Sequence, residues 1–220
     1  MKFHLRNASS RFAHIILILL PALFANLAGC ASPAFPDPGY TSLFNGKDLT
    51  GWQYKPGKPG DNVVPEVFEG KTASNDARYT VGNGIMLVHD RNRDPAANQP
   101  IRQLYTVKQF SGDFELRLEF RAGVNADSGI FIGAKQLQCR DYLVAGPYYN
   151  LQQYKPQDWN QIVIVVFGNV AHCTCNGEIL EQAMPVPDGP RDIGLEADRG
   201  PTLEYRNIEI KELNRAAASP

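Results

Sequence analysis

Asp113-Phe114-Glu115-Leu116-Arg117-Leu118-Glu119-Phe120-Arg121 alternates without a break between apolar and charged side chains. Phe114, Leu116, Leu118 and Phe120 share one parity, and Glu115, Arg117, Glu119 and Arg121 share the other. Successive side chains of a strand point to opposite faces, so this stretch predicts a β-strand with one buried and one charged side. A helix needs apolar residues three and four apart. No segment of a dozen residues from Tyr40 onward carries that stripe.

The same reading extends outward. Residues 161–167 (Gln-Ile-Val-Ile-Val-Val-Phe) form a continuous β-branched run, which predicts a strand covered on both faces. Residues 170–175 and 178–182 flank Asn176-Gly177, and both positions of a type I′ hairpin turn need positive φ, which these residues tolerate. Further strands are expected at 85–89, 101–105, 128–133, 136–143, 193–197 and 202–211, separated by Gly, Pro, Asn and Asp clusters. In the last of these Leu203 and Tyr205 have one parity and Ile208 and Ile210 the other, so a bulge is expected near Arg206-Asn207. The fold class is all-β, a sandwich of two antiparallel sheets over residues 40–213 with a short tail at 214–220.

Composition narrows the function. With 22 Lys+Arg against 23 Asp+Glu, 43% hydrophobic residues, 19 Gly and 16 Pro in 220 residues, the chain is globular rather than disordered or collagen-like. A net charge of −1 and no basic block after position 30 leave no footprint for nucleic acid, so no such partner is expected. Lys2, Arg6 and Arg11 precede an apolar run from Ile15 to Ala25, the two regions of an export signal. That run is too short to span a bilayer, which needs about 20 apolar residues. Leu27-Ala28-Gly29-Cys30 resembles the bacterial lipoprotein site, where the cysteine is acylated and becomes the new N-terminus. Removal of 1–29 leaves 19 basic and 23 acidic residues, a net −4. By resemblance to sorted lipoproteins, Ala31 rather than Asp after the cysteine implies the outer membrane of a bacterial envelope rather than the inner one. Residues 31–39, with three prolines in nine positions, read as an extended tether.

Several stretches resemble the 3-keto-disaccharide hydrolases, a bacterial family with a concanavalin-like jelly-roll fold. They are Thr41-Ser42-Leu43-Phe44-Asn45-Gly46-Lys47-Asp48-Leu49-Thr50-Gly51-Trp52, the 112–121 strand followed by Asp127-Ser128-Gly129-Ile130-Phe131, Trp159-Asn160, the hairpin from His172 to Gly177, Ile193-Gly194-Leu195, and Tyr205-Arg206-Asn207-Ile208-Glu209-Ile210. The resemblance implies a bent sandwich whose concave sheet holds a glycoside already oxidised to a ketone at C3. That ketone acidifies the C2 proton; a base removes it, the enolate expels the C1 oxygen, and hydration of the resulting 2-hydroxyglycal completes hydrolysis. Such chemistry needs a base, an acid for the leaving oxygen and an enolate stabiliser, without the paired carboxylates of ordinary glycosidases. The family commonly carries Glu where this chain has Gln136, and Asn where it has Asp127. These departures keep open a non-catalytic carbohydrate-binding lipoprotein of the same fold.

Two groups of residues compete for the site. One joins Glu115, Arg117, Glu119 and Arg121 to Gln136, Gln138, Arg140 and Asp141. If the two strands share a sheet, Arg117, Glu119, Gln138 and Arg140 converge on one pocket, with Glu119 as acid or base and Arg140 as enolate or hydroxyl donor. Alternating charges also mark a solvated surface of cross-strand pairs. Arg140 and Asp141 face opposite ways, so only one of them joins the site. The other group is His89, beside Asp90, and His172, since histidine is the usual base near neutrality. Trp52, Trp159, Tyr148 and Tyr149 offer rings for sugar stacking, although such rings in small sandwiches also serve as core.

No cofactor is expected. Asp90, Asn92 and Asp94 imitate the start of a calcium loop, but Pro95 and Ile101 stand where an EF-hand needs Gly and Glu, leaving only an irregular Ca²⁺ site between loops. His172, on the strand face opposite Cys173 and Cys175, makes no zinc site with them. Beyond Cys30, three cysteines allow at most one bridge, Cys139 with Cys173 or Cys175, or else three buried thiols.

Overall fold

The alternating stretch forms a ten-residue strand, Asp113–Ala122, in the middle of a large antiparallel sheet. In the computed structural model residues 38–55, 65–89, 102–141, 146–197 and 201–213 are described, and they carry the strands β1 (Thr41–Ser42), β2 (Trp52–Tyr54), β3 (Glu66–Val67), β4 (Tyr79–Gly82), β5 (Ile85–Val88), β6 (Leu104–Thr106), β7 (Asp113–Ala122), β8 (Asp127–Ile132), β9 (Lys135–Arg140), β10 (Asn160–Phe167), β11 (Val170–Cys175), β12 (Glu178–Pro185), β13 (Ile193–Leu195) and β14 (Leu203–Leu213). Eight strands build one sheet in the order β12-β11-β10-β7-β14-β5-β4, with β1 also paired to β14. Six build the other, in the order β3-β2-β6-β13-β8-β9. Every pairing is antiparallel, and the architecture is the lectin-like jelly-roll sandwich expected of the sequence.

The apolar parities of both sheets meet in a single core. Phe114, Leu116, Leu118 and Phe120 of β7 and Ile162, Ile164 and Val166 of β10 join Leu104, Ile130, Ile132, Ile193 and Leu195 of the six-stranded sheet in one buried cluster. Asn176 (φ 50) and Gly177 (φ 84) form the β11–β12 turn as read. The expected bulge is also present: pairing of β14 with β7 skips between Arg206 and Glu209, and Asn207 takes φ 51.

Two expectations and one omission need correction. β10 is buried on one face only, because Val163 and Val165 sit on the outer side beside Arg117, Glu115, Thr174 and His172, whose side chains half-cover them. β1 to β4 are too short, or interrupted by too many turns, for a two-residue period to register. The third correction matters most for function. β7 lies in the eight-stranded sheet and β9 in the six-stranded one, so the chain crosses between sheets at 123–126 rather than turning back as a hairpin. Both strands bury their apolar side toward the common core, which drives their polar sides to opposite surfaces. Arg117 and Glu119 therefore cannot converge with Gln138 and Arg140.

Asp141 clamps that crossing. Fully buried, it accepts hydrogen bonds from the Asn125 backbone N–H at 2.9 Å and from Gln157 Nε2 at 2.9 Å, while Asn125 adopts φ 61. Asn160 fastens the loop before β10: its amide accepts from the Lys155 N–H and from Asn176 Nδ2, each at 2.8 Å, and donates to the Lys155 and Asp158 carbonyls, each at 2.8 Å. Replacing Asn160 by Ala removes four hydrogen bonds made by one fully buried side chain, and a loss of about 2–3 kcal/mol in chemical unfolding is expected. A loss under 0.5 kcal/mol would show that the loop does not depend on it.

Cys139, Cys173 and Cys175 are free and buried. Burial pushes the Cys173 and Cys175 thiols up to about 12 and the Cys139 thiol higher still. Because the thiolate is the reactive species, a Cys30→Ser chain should leave an aromatic disulfide reagent unreacted at pH 8 until denaturant is added.

Candidate functional site

The two outer faces differ in kind. On the eight-stranded sheet the alternating charges of β7 are paired across strands: Arg117 with Glu209, Arg121 with Glu204, and Arg206 with Glu119 at 2.8 Å. Asn207 Nδ2 also donates to Glu119 at 2.6 Å, and Tyr40 Oη donates to Glu115 at 2.5 Å. Aromatic rings cover the guanidinium groups, Tyr40 at 3.9 Å from Arg117 and Trp159 at 3.9 Å from Arg206. The charged side chains of β7 on this surface are thus paired across strands and capped by aromatic rings.

On the six-stranded sheet the register sets two rows side by side. The first runs Gln53, Tyr105, Gly194, Phe131, Gln136 across β2, β6, β13, β8 and β9. The second brings Glu196, whose N–H donates to the Gly129 carbonyl at 2.9 Å, alongside Gly129 and its partner Gln138. Asp127 and Arg140 face each other in the next row. At the two glycines an added side chain would collide with a neighbouring side chain as it now lies. A Cβ on Gly194 would lie 2.4 Å from Tyr105 Cε1, and one on Gly129 would lie 2.3 Å from Gln136 Nε2. Gln136 accordingly stretches over Gly129 and donates through Nε2 to Glu196 Oε2.

The polar groups of this face are held from several sides. Arg140 Nε donates to Asp127 Oδ1 at 2.6 Å and to Gln138 Oε1 at 3.0 Å. Lys55 pairs with Asp192 and sits 3.8 Å over the Tyr105 ring, which packs at 5.9 Å against Phe131. Burial, with the charges of Asp192 and Glu196 behind it, pushes the Tyr105 phenol up to about 12, so it stays a proton donor at neutrality. Tyr79 Oη donates to the Leu195 carbonyl at 2.8 Å, and Ser128 Oγ donates to the Glu196 carbonyl at 2.7 Å. Amides, one guanidinium and carboxylates set around bare backbone are the groups that bind sugar hydroxyls, and Tyr105 and Phe131 add apolar ring surface. A cleft of about 150 Å³ adjoins this face between β9 and β12, lined by Gln136, Gln138, Pro147, Leu180 and Met184 among others.

Of the residues singled out from sequence, Arg140, Gln136, Gln138 and Asp127 lie together here. Glu119, Arg117 and His172 lie on the opposite outer face, His172 exposed beside Val165. His89 follows β5 in the eight-stranded sheet and bonds through Nε2 to Thr80 Oγ1 at 2.8 Å. Trp52 is fully buried, its indole donating to the Leu43 carbonyl at 2.8 Å, and is core rather than a sugar platform. Asp141 is the clamp already described. Tyr148 is buried and Trp159 is engaged with arginines. Asp90, Asn92, Asp94 and Cys30 lie outside the described residues. Sequence reasoning passed over Glu196, Tyr105, Phe131, Lys55 and Asp192. The parity of 193–197 held the signal: Ile193, Leu195 and Ala197 point inward, which sends Gly194 and Glu196 outward.

The model of the 3-keto-alpha-glucoside-1,2-lyase-like domain matches residues 39–211. Two similar solved structures come from Parabacteroides distasonis ATCC 8503, each described as a "putative glycosyl hydrolase". The first is 17% identical with a TM-score of 0.60, covering 83% of this chain and 99% of that one. The second is 19% identical with a TM-score of 0.55, covering 80% and 84%. At such identities the likeness speaks for the fold. No curated protein matches the chain in sequence.

Proposed function

The chain belongs to the 3-keto-alpha-glucoside-1,2-lyase-like domain family, and from that premise we propose that it cleaves 3-keto-glycosides by elimination on the outer face of its six-stranded sheet. Family membership supports a carbohydrate-active role. The observation that carries the finer reading is the gathering of Gln136, Gln138, Arg140, Asp127 and Glu196 around Gly129, beside the Tyr105–Phe131 ring pair. Arg140 and Gln138 hold the keto sugar through its hydroxyl and carbonyl oxygens, and the ring pair lies against its apolar face. Donors that reach the C3 oxygen stabilise the enolate more than the ketone, which is what lowers the barrier.

Incubating the mature chain with a 3-keto-disaccharide tests this. An ultraviolet-absorbing enone should form, followed by free sugars, while the parent disaccharide with its C3 hydroxyl intact survives, since its C2 proton is not acidic. Equal cleavage of the parent would point to an ordinary glycosidase. Binding without turnover would favour the non-catalytic reading, whose motivating observation is the neutral Gln136 in the position where the resembled strand carries an acid.

Export and lipid anchoring through Cys30 complete the proposal, supported by Leu27-Ala28-Gly29-Cys30 behind a charged and then apolar leader, with the outer membrane as destination. Among the described residues no helix is long and apolar enough to cross a membrane. Cys30→Ser should move the protein from the membrane to the soluble fraction on cell fractionation. Continued tight membrane association of that variant would remove the lipid-anchor reading.

A further inference from the structure

The cleft beside this face is built by the edges of both sheets. β9 ends the six-stranded sheet and β12 ends the eight-stranded one. β12 carries more residues than its partner β11. Ala171 to Cys173, two steps of β11, oppose the three steps from Met184 to Glu181, and Cys173 to Thr174, one step, opposes the two from Glu181 to Ile179. Such bulges bend a strand and interrupt its ladder, and Glu181, Ala183 and Met184 of the bulged stretch line the cleft. Leu137 lines it from β9, and Pro147 from the turn that follows Gly146 (φ 79). Tyr148 of that turn donates through Oη to the Gln138 carbonyl at 2.6 Å, so this carbonyl of the edge strand is satisfied. Leu137, Leu180 and Met184 are each at most 6% exposed, and Lys135 and Glu181 are exposed. The side chains of Leu137, Leu180, Met184, Pro147 and Pro185 offer a ligand no hydrogen-bond donor.

We propose that this cleft is the aglycone subsite and that it takes an apolar group of about one six-membered ring, aryl or benzyl. The subsite rests on the elimination reading above and names its substrate class: 3-keto-glycosides of aryl-bearing alcohols, in preference to 3-keto-disaccharides. Gln136 and Gln138 line the cleft and also belong to the polar face around Gly129. The cleft is therefore continuous with the sugar site, and a group attached at C1 can enter it. Its volume is about 150 Å³, and a dry apolar cavity of about that size holds one benzene ring. The lining decides between such a ring and a second sugar. A pyranose is of similar size, but each hydroxyl it brings against Leu137, Leu180 and Met184 loses water without gaining a partner. An aryl ring gains from the same transfer, because only apolar surface leaves water. The unbranched, polarizable Met184 side chain adapts to a ring and makes favourable sulfur–aromatic contact.

Benzyl and methyl 3-keto-α-glucosides test this, because benzyl alcohol and methanol are leaving groups of similar acidity and the two substrates differ in the ring. In the full-length chain kcat/KM for the benzyl compound should exceed that for the methyl compound at least about 10-fold, the least that one added methylene gives in an apolar pocket. The unoxidised benzyl and methyl glucosides, titrated by calorimetry, should show the same order of affinity without any turnover. A183W sets an indole into the cleft from an exposed position of β12 and should erase both preferences. I179S, on the same strand but outside the cleft and 65% exposed in the wild type, should keep them. Circular dichroism checks the fold of each variant, and since each preference is a ratio within one variant, partial unfolding lowers both rates without equalising them. A smaller ratio in the wild type, or a wild-type ratio retained in A183W, overturns the subsite and leaves the elimination reading standing. A wild type that turns over neither compound removes the elimination reading, and calorimetry then decides the subsite alone. Tighter binding of the benzyl glucoside that A183W abolishes keeps it as part of a carbohydrate-binding face; equal or undetectable affinities remove it.

Discussion

Leu118→Asp is expected to abolish the native fold. Leu118 is 1% exposed on β7, between β10 and β14, with Ile162 as its registered neighbour. An aspartate there either buries an unpaired charge or is held protonated at neutral pH, and both routes cost several kcal/mol. The lost leucine packing adds roughly 2–5 kcal/mol, so together they match the whole stability of a typical domain, about 5–15 kcal/mol. Glu119→Gln, one residue on, changes a half-exposed side chain whose partners Arg206 and Asn207 remain hydrogen-bonded to an amide oxygen. Its cost should stay within about 1 kcal/mol. Urea unfolding followed by far-ultraviolet circular dichroism measures both. Equal destabilisation by the two changes would show the parity assignment of β7 to be wrong.

That contrast also explains what could be read along the chain. Alternation at 113–121 states which side of a strand is buried because burial acts on each residue locally. It does not state which sheet the strand joins, since a strand in either sheet carries the same pattern. The expectation that Glu119 and Arg140 meet failed at that step: the parities of β7 and β9 are both as read, yet the two strands face away from each other across a shared core. Asn176-Gly177 and the parity slip at Arg206-Asn207 were legible because turn and bulge geometry are demands on one or two residues. β2 was not, because Trp52-Gln53-Tyr54 offers too few positions for a period.

The same reasoning divides the candidate site. Gln136, Gln138, Arg140 and Asp127 were visible because they sit on two consecutive strands joined by a tight turn, so local parity places them together. Glu196 and Tyr105 were hidden because β6, β13 and β8 become neighbours only through long-range pairing. Trp52 misled for a chemical reason: an indole suits a sugar ring and a hydrophobic core equally well, and only its buried N–H, donating to Leu43, tells which. Fold and site thus depend on the same long-range pairings. The six-stranded sheet that buries Ile130, Ile193 and Leu195 on its inner side is what brings Gln136 to Glu196 on its outer side.

Gly129→Ala should therefore separate activity from stability. The added methyl would lie 2.3 Å from Gln136 Nε2, 2.6 Å from its Cγ and 2.8 Å from its Cδ, its three nearest atoms. Since the obstacle is a flexible, partly exposed side chain and not backbone, Gln136 can swing aside, and Gly129 has no positive φ that an alanine would strain. The fold should hold to within about 1 kcal/mol, helped by the smaller backbone entropy of alanine in the unfolded chain. Swinging aside, however, takes the amide off Glu196. A misplacement of about 1 Å among the groups that position a substrate costs on the order of 100-fold in rate, so kcat on a 3-keto-disaccharide should fall by about that factor while the thermal midpoint barely moves. Gly194→Ala meets Tyr105 Cε1 at 2.4 Å and Phe131 Cβ at 3.0 Å, and those rings are packed against each other. It should lose stability as well as rate. Full activity in Gly129→Ala would mean that the Gln136–Glu196 contact does no chemical service and that the substrate sits elsewhere on the sheet.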